Sequence, residues 1–87
     1  MHEKSVMDHL MNKILSLAKE EQTTKVTKIS VKLGALSHMS AQHFKEHFDI
    51  AAKGTIAQDA EIEAEESQDI HDPNATRVVL KSIDVAS

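Results

Sequence analysis

The chain has 87 residues, 40% hydrophobic and 28% charged, with 14 acidic against 10 basic side chains, six histidines and no cysteine. That length supports one core and that composition is the composition of a folded protein, not of a disordered one. A formal charge of −4 and only two aromatic residues, Phe44 and Phe48, argue against nucleic acid or an anionic membrane as a partner, and without cysteine there is neither a disulfide nor a thiolate metal site.

From Ser5 to Lys19, the apolar residues Val6, Met7, Leu10, Met11, Ile14, Leu15, Leu17 and Ala18 recur close to helical spacing and predict a first amphipathic helix. The charged start before it reads as neither a signal peptide nor a membrane span, so the chain is expected in the cytoplasm. Lys25 to Leu33 alternates with period two, placing Ile29, Val31 and Leu33 on one face of a strand that Gly34 ends. Ser40 is the expected N-cap of a second helix running to about Ala52, with Phe44 and Phe48 on its buried stripe and Gly54 at its stop.

Thr55 to Glu66 alternates again, with Ala60, Ile62 and Ala64 opposite Glu61, Glu63 and Glu65, and predicts a second strand with a wet acidic face. Ser67 to Thr76, with Asp69 and Asp72-Pro73-Asn74, has the chemistry of a turn. Arg77 to Val85 predicts a third strand in which Val78 and Leu80 are out of phase with Ile83 and Val85, so a bulge or twist is expected near Lys81-Ser82. The order helix, strand, helix, strand, strand predicts an α+β two-layer sandwich: a single domain over residues 1–87, both helices on one face of a three-stranded sheet. The second and third strands, joined by a short turn, are expected to pair antiparallel.

The sequence Met1-His2-Glu3 offers a chelator in its own right. A free α-amine, the His2 imidazole and deprotonated backbone amides can present nitrogens in a plane, a donor set suited to Ni²⁺ or Cu²⁺ and poorly suited to Zn²⁺, Mg²⁺ or Ca²⁺. The dipeptide alone leaves open a frayed terminus with no ligand role.

The opening Met1-His2-Glu3-Lys4-Ser5-Val6-Met7 resembles that of the HypA/HybF family of hydrogenase and urease nickel-incorporation accessory proteins. Val26-Thr27-Lys28-Ile29 through Leu33-Gly34-Ala35-Leu36-Ser37, Phe48-Asp49, Gly54-Thr55, Ala60-Glu61-Ile62-Glu63 and Leu80 to Val85 resemble further segments of that family, in order. The resemblance implies a metallochaperone, not an enzyme, that takes up Ni(II) through Met1 and His2 with Glu3 in support. It also implies transfer of the ion, with a GTPase partner, towards a [NiFe]-hydrogenase or urease. The family's zinc module of two Cys-x-x-Cys pairs has no counterpart here, where only the loop 67–76 stands in its place, so no zinc is expected. The competing expectation is a metal-independent interaction module that keeps the fold without the zinc segment, and the exposed edges of a small sheet leave homodimerisation open.

The other histidines are assigned blander roles. His43 and His47 lie at i, i+4 on one helix, a spacing that can hold an ion, but they flank the Phe44-Phe48 stripe and are read as boundary packing. His9, His38 and His71 are read as surface residues. Glu61, Glu63 and Glu65 alternate onto a solvated face without calcium-loop spacing, and no nucleophile, phosphate loop or catalytic grouping is present.

Overall fold

The computed structural model describes residues 3–86, with side chains from Ser5 to Ala86. Its elements run α1 (Glu3–Glu20), β1 (Val26–Leu33), α2 (Ala41–Ala52), β2 (Glu61–Glu66) and β3 (Val78–Val85). The three strands form one mixed sheet in the order β2-β1-β3, with β2 parallel and β3 antiparallel to β1. The helices cover one face, α1 against β3, α2 against β2, and each helix against the other. This is the expected α+β sandwich.

The core is aliphatic except for its two phenylalanines. From α1 it takes Met7, Leu10, Met11, Ile14 and Ala18; from α2, Phe44, Phe48 and Ala52; from β1, Val26, Ile29, Val31 and Leu33. The Phe44 and Phe48 rings stack at 5.9 Å between centroids, both closed off from solvent. Burying each such ring stabilises the fold by about 1.5–3 kcal/mol.

The expected pairing of the second and third strands does not occur. The central position goes to β1, the strand whose sheet neighbours on both sides leave even the outward Ser30 only 8% exposed. β2 returns beside it through α2, and a strand that comes back across a helix can lie parallel to its predecessor where a hairpin cannot. The segment from 67 to 76 then crosses the end of β1. The Ser67 N–H donates to the Leu33 carbonyl at 2.9 Å, Gly34 N–H to Arg77 O at 2.9 Å and Leu36 N–H to Ala75 O at 2.7 Å. Two strand spacings amount to roughly 10 Å, so ten residues span them easily.

Two bulges set the phase of the strands. Between the pairs Ser30↔Ser82 and Val31↔Leu80, Lys81 is the extra residue, which brings Val78, Leu80, Ile83 and Val85 all to the helix side as the sequence required. The second bulge had no sequence signal. Thr27 is extra between Val26↔Val85 and Lys28↔Asp84, and it turns Val26 into the core beside Ile29.

β2 is shorter than the alternation of Thr55 to Glu66 predicted, because turn chemistry takes its first half. Thr55 Oγ1 donates to Ala52 O at 2.7 Å and accepts from Ala57 N–H at 3.1 Å. Gly54, at φ +83, receives the chain from α2, and its N–H is met by Gln58 Oε1 at 2.8 Å. This turn docks on β1 through Val26 N–H to Ile56 O at 2.9 Å.

Candidate metal centre

Both helices run away from the end of the sheet where β1 finishes. α1 enters beside the start of β3, since Ser5, Val6 and His9 line a cleft of about 540 Å³ with Asn74, Arg77 and Val78. α2 starts beside the end of β2, where Glu66 Oε2 accepts from the Ala41 N–H at 2.9 Å. A short loop that turns at Gly34 to Ser37 leads from the tip of β1 to Ser40, whose hydroxyl accepts from His43 N–H at 3.1 Å and caps α2 as predicted. One end of the molecule therefore gathers the beginning of α1, the 34–40 loop, the start of α2 and the 67–76 loop.

The candidate ligands Met1 and His2 lie outside the described residues, and of Glu3 only its place as the first residue of α1 is described. No helix among the described residues is long and apolar enough to cross a membrane. Among the described residues no group of three or more histidine, aspartate or glutamate side chains converges as a metal cage. His9 and His38 are exposed, as the sequence suggested, His38 in the loop after β1 with φ at +59. His71 is exposed in the 67–76 loop, its N–H donating to Asp69 Oδ1 at 2.9 Å in an Asx turn. His43 and His47 are half-buried on the flank of α2, with ring centroids 4.5 Å apart.

The outer face of the sheet is a charge ladder and not a site. Lys28 Nζ meets Glu63 at 2.9 Å, Lys32 Nζ meets Asp72 at 3.1 Å and Lys81 reaches Glu65 at 4.0 Å. The hydrogen bond from Lys28 holds the Glu63 carboxyl below its usual range, and the same contact raises Lys28. Asp72 is also held low, first by the Asn74 N–H and then by Lys32, while Lys32 is raised by its bond to Asp72. Glu61, Glu63 and Glu65 point to solvent, as their alternation predicted.

The chain is a two-layer sandwich of order α-β-α-β-β. It superposes with a TM-score of 0.79 and 18% identity on the solution structure of the Ni metallochaperone HypA from Helicobacter pylori, over 98% of this chain and 97% of that one. The family model for hydrogenase/urease nickel incorporation, the metallochaperone HypA, matches residues 1–72, and the chain belongs to this family, whose members are metallochaperones and not enzymes. It is 40% identical over 62 residues to the hydrogenase maturation factor HypA of Prosthecochloris aestuarii, covering 71% of this chain and 55% of that protein. With the hydrogenase maturation factor HypA of Caldanaerobacter subterraneus it shares 36% over 62 residues, 71% of this chain and 54% of the relative. The chain thus spans about half the length of the curated relatives it matches.

Proposed function

We propose that this chain is a nickel-binding accessory protein that serves [NiFe]-hydrogenase or urease maturation, with the N-terminus as its metal site. The observation that carries the reading is the family match over residues 1–72, a span that contains Met1-His2-Glu3. In this reading residues 1–87 act as one nickel-binding domain. The Met1 amine, the His2 imidazole and neighbouring backbone amides supply nitrogen donors to Ni(II), and the Glu3 carboxylate supports them. Without cysteine the chain cannot build a tetrathiolate zinc site, and a planar set of nitrogens suits nickel better than zinc, so nickel is the expected metal.

Such a site holds its ion only where protons do not compete for the same nitrogens, so affinity falls below about pH 6.5 as imidazole and amine protonate. Transfer then requires a protein that accepts the ion, and a GTPase of the nickel-insertion machinery is the proposed partner, in the cytoplasm. Isothermal titration of Ni²⁺ into chain with an unextended N-terminus tests the metal site: binding at micromolar concentration, lost on His2→Ala and on addition of a residue before Met1, is the expected result. If pull-down of the GTPase persists in His2→Ala while no nickel binds to either chain, the protein is a metal-independent interaction module instead.

A further inference from the structure

The sheet ends on two edge strands, β2 and β3, and they are guarded differently. β2 presents Glu61, Glu63 and Glu65 exposed along its length, the kind of charged edge that keeps another strand from pairing. β3 is guarded only in its second half, where the extra residue Lys81 breaks the ladder and Lys81 and Asp84 are exposed. Its first half, Val78-Val79-Leu80, is uncharged and half-buried at every position. Neighbouring strand residues face opposite ways, so a cleft lined by all three opens along the edge of the strand and not over one face.

The backbone is oriented to match. Gly34 N–H donates to Arg77 O, while Leu33 O is taken by Ser67 N–H on the far side of β1. Arg77 therefore faces β1, and by the alternation of an antiparallel ladder Val78 and Leu80 turn their N–H and C=O outward. The opposite wall of the groove is one stripe of α1, Val6 and Leu10 with His9 and Lys13 beside them at helical spacing, and Arg77 stands just before the strand. On a chain of net charge −4, Lys13 and Arg77 line one groove and, among the described residues, meet no carboxylate, whereas Lys28, Lys32 and Lys81 are each paired with one.

We propose that this groove docks an extended segment of a partner protein in which apolar side chains alternate with carboxylates, added to the sheet as a strand beside β3. Its main chain pairs with Val78 and Leu80 at strand spacing, about 4.8 Å away. Its apolar side chains cover Val6 and Leu10, and its carboxylates meet Lys13 and Arg77, whose long stems let the charges follow them. Charge selects this occupant. Two copies joined through β3 would bring the same cations together. β2 of a second copy, though acidic, has Glu63 and Glu65 already held by Lys28 and Lys81 and would extend the sheet without closing it.

The test is an NMR titration of the metal-free His2→Ala chain, which sets the terminal chelate aside, with a blocked peptide of about six residues alternating glutamate and valine. The amide signals of Val78 and Leu80 and the methyl signals of Val6 and Leu10 should shift, and exchange of the two amides with solvent should slow. Lys13→Glu with Arg77→Glu should weaken the peptide by more than about tenfold, whereas Lys25→Glu with Lys45→Glu, on exposed lysines outside the groove, should leave it as it was. Native far-UV circular dichroism confirms that both double variants are folded. A peptide N-methylated throughout, which cannot donate to β3, should not bind. No shift at millimolar peptide, equal binding of a lysine–valine or N-methylated peptide, or shifts centred away from the groove would overturn the proposal. So would a chain that light scattering shows self-associating until the peptide is added, the mark of a second copy in the groove.

Discussion

At the scale of single residues, Gly34 and Asp72 hold the crossing loop to the sheet. A Cβ at Gly34 would overlap the Ala75 carbonyl, which is rigid backbone, so the chain can pass over the tip of β1 only where there is no side chain. Gly34→Ala is expected to cost about 1–3 kcal/mol, the range for overpacking, read as a lower urea midpoint. Asp72 binds the Asn74 N–H at 2.8 Å with one oxygen and Lys32 at 3.1 Å with the other, and its carboxyl is held below the usual range. A depressed carboxyl contributes stability that is present above its unfolded value of about 3.9 and disappears as pH falls through the folded one. Asp72→Asn should therefore lower stability at neutral pH and flatten the acid limb of the stability curve below pH about 4, measured by urea melts across pH. An acid limb as steep in the variant as in the parent would show that Asp72 contributes nothing to it.

At the scale of elements, helix periodicity and capping carried the most information. α1 starts two residues before its predicted limit and α2 follows its Ser40 cap, because amphipathic spacing and a hydroxyl bonded to the third helical N–H are local features. Ser40→Ala removes that bond and is expected to destabilise the fold by about 1 kcal/mol, seen as a fall in Tm with native far-UV circular dichroism. The bulge at Lys81 was legible because Val78 and Leu80 sit out of phase with Ile83 and Val85; the one at Thr27 was not, since Val26 simply looked like the fringe of the strand. Thr55 to Ala60 misled through the same alternation that marked β2 correctly. The Thr55 hydroxyl and the positive φ of Gly54 outweigh it, and side-chain bonds of that kind leave no trace in an apolar pattern.

At the scale of the molecule, apolar pattern says which face of a strand is buried and not which strand lies beside it. That is why the two layers were legible while the order β2-β1-β3 was not. The histidine pair on α2 was legible as a spacing, and the fold adds that the two half-buried rings lie 4.5 Å apart. The core that joins the layers has little redundancy, with both of its aromatic rings on α2. Phe44→Ala is expected to cost about 3–5 kcal/mol, enough to leave a small domain partly unfolded at 37 °C, which a thermal melt will show.

The outer face of the sheet carries lysine–carboxylate pairs, the interior is apolar, and the end where both helices begin also gathers the 34–40 and 67–76 loops. The most direct test of the central claim is isothermal titration of Ni²⁺ into the unextended chain and its His2→Ala variant at neutral pH. The account predicts micromolar or tighter binding that disappears with His2; equal affinity in the two chains, or none in either, would contradict it.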